Sequence, residues 1–164
     1  MKTDVIKSLV DYMYWVNHRL LDAAAHVDAE QWAASSAGTV RSLRATLVHE
    51  LDVEWSWRLN LQGRNAEDER KMEPSDFPDL ALLRKRWDED ETEMRAWIAG
   101  LTDHDLDKSV PSKLSRDERP LWQYLIHIVT HAAQQQADAA TILTALGHSP
   151  GDIGYPEMLK QRDG

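Results

Sequence analysis

Residues 120–147 read PLWQYLIHIVTHAAQQQADAATILTALG. Leu121, Leu125, Ile128, Ala132, Ala139, Leu143 and Leu146 recur at the three- or four-residue spacing of one helical face. Pro120 suits the first helical position, since its missing N–H would be unpaired there anyway, and Gly147 supplies a stop. The stretch is an amphipathic helix that must lay its apolar stripe against other elements.

The same period returns three times upstream. Ile6, Leu9, Met13, Val16, Leu20 and Ala24 mark a first helix, with Thr3 and Asp4 placed to cap it and its end near Ala25. Ser42 caps a second carrying Leu43, Leu47, Leu51, Trp55 and Leu59, with Gly63 as its stop. Asp79 opens a third through Leu80, Leu83, Trp87, Met94, Trp97, Ile98 and Leu101, whose acidic run Asp88 to Glu93 reads as a solvated face. Short capped turns are expected at Asp28–Gln31, a capping-box spacing with Val27 and Trp32 set for the hydrophobic staple, and at Thr102–Leu106. Arg64 to Pro78 reads as a loop and Val110 to Arg119 as a polar connection, its only strand-like alternation near Val110 to Leu114. The tail beyond Pro150 adds a turn near Glu157. These signals predict an all-α fold of four long helices, with two long crossover connections rather than a plain up-and-down order.

The chain has 164 residues, 42% hydrophobic and 29% charged, enough to bury a core as one domain over 1–164. Its 28 acidic and 19 basic residues give a net charge of -9, which opposes contact with phosphate backbones and anionic lipid, so nucleic acid and membrane are not expected partners. With no cysteine, disulfides, thiolate nucleophiles and thiolate metal sites are excluded. The N-terminus shows no signal-peptide apolar run, and no stretch is long and apolar enough to span a bilayer, so a cytoplasmic location is expected.

Three of the seven histidines stand apart: His49, His127 and His131. His131 and Gln135 fall one turn apart on one flank of the fourth helix's apolar centre, with Tyr124 and Asp138 on the same flank. A nitrogen and an amide oxygen can therefore meet at one point between helices. His49 lies off the second helix's apolar stripe, so periodicity leaves its direction open. One His from one helix plus an i, i+4 pair from another is how bundles hold a divalent ion with open positions, although a partly buried, hydrogen-bonded histidine is the commoner use of such a residue. His127 sits further from the apolar centre, at the surface or an interface. His18, His26, His104 and His148 fall on an exterior, at a helix end or in loops. The seven tryptophans are most simply core, with Trp15 beside Asn17 and the Trp55–Trp57 pair as the alternatives for a pocket rim.

Several runs resemble the DinB-like family of bundle proteins, the DinB/YfiT-like metalloenzyme superfamily, over nearly the whole length. They are Tyr14 to Leu21, similar to that family's aromatic-x-Asn-x-Arg-Leu opening; Ser42 to His49; Pro120 to His131; and Leu146 to Ile153. The resemblance implies a four-helix bundle with a metal held by one His of the second helix and a His-x-x-x-His pair of the fourth. At the matching positions these are His49, His131 and Gln135, so an amide replaces the last imidazole, and Gln136, Ala137 and Asp138 replace the Arg, Gly and Gln that usually follow. It further implies a divalent transition metal, nickel or zinc, and a thiol-dependent transferase or a hydrolase acting on a small molecule, with a low-molecular-weight thiol as a candidate partner. The alternative is a metal-free binding or stress-associated module whose metal site is degenerate at Gln135. A homodimer through one helical face is also expected, partly from the resemblance.

Overall fold

The computed structural model describes residues 2–35, 38–39, 41–64 and 70–163. The chain is mostly helical, 71% of it, and its sole sheet among the described residues has two strands. Four long helices, α1 (Lys2–Ala24), α3 (Leu43–Leu61), α4 (Leu80–Ala99) and α6 (Leu121–Ala145), account for most of it; α2 (Ala29–Ala33), α5 (Asp103–Asp107) and α7 (Tyr155–Asp163) are short. A 3₁₀ turn spans Pro74–Asp76, and β1 (Ser109–Ser112) pairs antiparallel with β2 (Asp117–Pro120). No helix is long and apolar enough to cross a membrane.

Helix starts follow the side chains that satisfy their first N–H groups. Ser42 accepts from Ala45 N, Asp79 from Leu82 N, and Asp28 and Thr102 form full capping boxes with Gln31 and Asp105. Gly63 and Gly147 follow α3 and α6 with φ of +72° and +85°, the left-handed conformation that ends a helix most cheaply in glycine. Thr3 and Asp4, expected as caps, lie within the first turn of α1 rather than ahead of it. The helix already includes Lys2, and Thr3 instead donates through its backbone N and Oγ1 to Asp103 Oδ1 at 2.8 and 2.9 Å, so α5 supplies the acceptor.

The apolar stripes meet where their spacing requires. α6 packs on both α3 and α1, and α4 packs on α1 and α3. Leu20, Leu43, Leu47, Leu51, Leu83, Ala132 and Leu143 are wholly buried among them. Each large aliphatic removed from water contributes about 1.5–3 kcal/mol.

Two expectations change. The connection after Val110 is a hairpin, paired from Ser109↔Pro120 to Ser112↔Asp117, with Arg116 left-handed at the turn. An isolated hairpin is marginal in water, but this one rests on α3 and α6, and Tyr124 Oη donates to Asp117 Oδ1 at 2.8 Å. Within the acidic run of α4, Asp90 is wholly buried and ion-paired with buried Arg58 rather than solvated. The loop expected at 64–78 contains the 3₁₀ turn; residues 65–69 lie outside the described residues.

Candidate metal centre

α3 is buried on nearly every side, 12 of its 19 residues being inaccessible, so even a position off its leucine stripe faces a neighbour. That settles the direction of His49. Its ring lies against His131 of α6, centroids 5.2 Å apart and inclined by 72°. Both imidazoles are half-buried. Burial, followed by the positive charges of Arg41 and Lys71, lowers the His49 pKa. Burial, and then His49, His127 and Arg41, brings His131 down to about 4. At neutral pH both rings are therefore uncharged and keep a lone pair for a Lewis acid.

Two buried atoms of the α6 ladder have no hydrogen-bond partner among the described residues: His131 Nδ1 and, one turn on, Gln135 Oε1. A buried polar atom left unpaired costs about 1–3 kcal/mol, so a partner from outside the chain would stabilise each of these atoms. The rings suit an ion. Two imidazoles bound at about 2.0–2.1 Å to one tetrahedral centre place their ring centres about 5 Å apart, close to the observed separation. The donor set of two imidazoles and one amide oxygen fits a divalent transition metal, more weakly than three imidazoles would.

A second grouping that could hold an ion lies elsewhere. His18 of α1 with Asp88 and Glu91 of α4 bring one ligand atom each within 4.8 Å of one another. There His18 Nε2 sits 2.7 Å from Glu91 Oε2, and Glu91 also accepts from Arg95 Nε at 2.6 Å. The hydrogen bond to Glu91 is the main influence raising the His18 pKa, which favours imidazolium, the opposite of what ligation needs. These side chains form an ion-paired strip between two helices.

The family model of the DinB family matches residues 1–163. The chain belongs to the DinB family. No curated protein matches it.

In this DinB-family chain the residues of the Tyr14 to Leu21 and Leu146 to Ile153 runs have identifiable work. Arg19 donates from Nε and Nη2 to the Pro150 carbonyl, at 3.2 and 2.7 Å, while its guanidinium lies 4.9 Å over Trp15. Gly151 follows with φ +77°, a conformation that favours glycine, and a Cβ there would come within 2.8 Å of Arg19 Nη2 and push the guanidinium aside. Tyr12 Oη donates to Ile153 O, which helps hold the tail on α1. Asn17 turns inward: its Nδ2 donates to Glu54 Oε1 at 3.1 Å, and its Oδ1 accepts from Gln136 Nε2 at 2.6 Å.

Asn17 thereby opens onto a buried polar layer that sequence reasoning missed. Glu50 and Glu54, one turn apart on α3, are wholly buried, and Trp87 Nε1 donates to Glu54 Oε2 at 3.2 Å. Burial first, then the charge of Asp90, lifts Glu54 to about 8. Burial and then Glu54 raise Glu50 well above the carboxylate range. At pH 7 Glu54 is mostly a carboxylic acid. The available signal was the polar ladder Glu50, Glu54, Arg58 on a helix with little exposed face.

On the other side of the histidines the hairpin closes a cleft of about 310 Å³ against α3 and α6. Trp57 stands 5.5 Å from Tyr124 and 4.7 Å from His127, and His127 is 6.2 Å from His131. Of the two tryptophans considered as a rim on α3, Trp55 is core and Trp57 lines this cleft.

Proposed function

We propose that this protein is a divalent-metal-binding enzyme, a transferase or hydrolase acting on a small molecule, in which His49, His131 and Gln135 hold zinc or nickel at the α3–α6 interface of a four-helix bundle with long crossover connections. The observation that carries the reading is the approach of the two neutral imidazoles, with an orphaned nitrogen and an orphaned amide oxygen on the same α6 ladder. Membership of the DinB family supports it.

A metal there would supply Lewis acidity, polarising a substrate atom such as a carbonyl oxygen or a thiol sulfur. The chain's own residues do the rest. His49 and His131, kept neutral by burial and nearby cations, present lone pairs without competition from protons at neutral pH. Gln135 adds a neutral oxygen, leaving the net charge of the centre to the ion and the substrate. Trp57 and His127 form an aromatic wall beside the pair, against which a substrate can lie.

Elemental analysis of protein purified without chelator tests the reading. It should contain close to one zinc or nickel per chain, and His131→Ala should contain almost none. No metal even after incubation with excess zinc would reject it. A second reading, a metal-free binding module, is favoured by one observation, the amide at position 135. Its signature would be negligible zinc affinity in the natural chain and strong affinity in Gln135→His.

A further inference from the structure

The cleft beside the histidines has a built polar end. Asp117 on β2 accepts from Ser115 Oγ, from Tyr124 Oη at 2.8 Å and from Arg119 Nε at 2.5 Å. Three donors hold that carboxylate in place. It is therefore a fixed anchor for the guanidinium of Arg119, and it takes only the Nε–H. The two terminal amino groups of Arg119 have no protein partner among the described residues, and the side chain is 56% exposed along the cleft wall. A guanidinium oriented on one edge and open on its other presents the parallel N–H pair that carboxylates match.

Next to it the wall is aromatic, its neighbouring rings inclined by 37° to 72° to one another. The rings of Tyr124, Trp57, His127, His131 and His49 run in contact order from the hairpin to the proposed metal centre. The cleft volume, about 310 Å³, is at the small end of the range for small-molecule sites.

We propose that this cleft binds the substrate by a carboxylate: a small anionic molecule with a flat apolar body lies against Trp57, pairs with Arg119, and extends past His127 toward His131 and His49. What happens at the far end rests on the metal-enzyme reading; the binding step does not.

Benzoate, with uncharged benzamide as its control, is a suitable probe, titrated in EDTA so that no carboxylate–metal bond contributes. The Trp57 indole N–H, identified by its loss from the 15N spectrum of Trp57→Phe, reports occupancy. Benzoate should shift that resonance saturably, and both Arg119→Gln and the exchange of benzoate for benzamide should weaken binding by about tenfold or more. Arg119 is exposed, so its variant should keep the natural spectrum elsewhere. An unmoved Trp57 resonance, or equal affinity in Arg119→Gln, or equal binding of benzamide, would overturn the proposal. Zinc titration of the same proteins after removal of the EDTA separates the two readings. Benzoate binding in a protein that takes no zinc leaves the cleft standing and removes the metal centre. Zinc binding with no response to benzoate removes the cleft alone.

Discussion

Replacing Glu54 by Gln should exchange a pH-dependent weakness for a small fixed one. Glu54 is 1% exposed, and burial holds its carboxyl at about 8 against 4.5 when solvated. Between those values the folded chain binds a proton that the unfolded chain has released. Stability is therefore complete below about pH 4.5 and is lost as pH rises toward 8, at about 1.4 kcal/mol per pH unit. Gln does not titrate, so it escapes that loss. It does, however, turn an amide N–H₂ toward Asn17 Nδ2 or Trp87 Nε1, both donors to Glu54, at a cost of about 1–3 kcal/mol. At pH 5 the variant should be the weaker protein; by pH 8 it should be the more stable, the difference between the two having swung by about 3–4 kcal/mol. Urea denaturation of both proteins at pH 5, 6, 7 and 8 reads this directly: groups remote from Glu54 cancel in the comparison, and Glu50, which the Glu54 charge raises, is relieved in the variant and moves the difference in the same direction. A difference that stays constant across that range would show that Glu54 is ionised throughout and refute the reasoning.

Asp90→Ala should destabilise the fold by about 3–5 kcal/mol in chemical denaturation, because it strands Arg58, 3% exposed, without its buried counter-ion. Gly151→Ala should lower the thermal midpoint measurably, since φ +77° and the 2.8 Å approach to Arg19 both oppose a side chain there; Arg19→Ala, which loses the clamp on Pro150, should remove part of that penalty in the double variant. Zinc affinity should fall by no more than about thirtyfold between pH 7 and pH 5, where two unshifted imidazoles would lose several hundredfold. The reason is that His131, near 4, stays unprotonated over that range and His49 is shifted the same way. The same depression means that stability is lost as pH drops from 6.5 toward 4, where the unfolded chain takes up a proton that folded His131 resists.

The long helices were legible because their information is local. Ser42, Asp79, Asp28 and Thr102 are caps whose side chains bond backbone within three residues, and leucines at helical spacing need a common neighbour. What escaped depends on partners distant in sequence. Asp90 looks like its acidic neighbours until Arg58, 32 residues earlier, is placed beside it. Glu50 and Glu54 sit on a helix that periodicity treats as one-sided, whereas α3 is enclosed by α6 on one side and α4 on another. The hairpin was legible only in part: the alternation near Val110 to Leu114 overlaps its first strand, whereas the second, Asp-Glu-Arg-Pro, carries no apolar face and the pair is held by Tyr124 and the flanking helices. Of the proposed metal ligands, the His131–Gln135 ladder followed from spacing alone, while the direction of His49 required the enclosure of α3.

Histidine ring resonances followed by NMR during stepwise addition of zinc put the metal centre to its most direct trial. The signals of His49 and His131, assigned from His49→Ala and His131→Ala, should move together and stop moving at one equivalent, with His18 unaffected. Rings that stay unmoved in excess zinc, or a response confined to His18, would contradict the account.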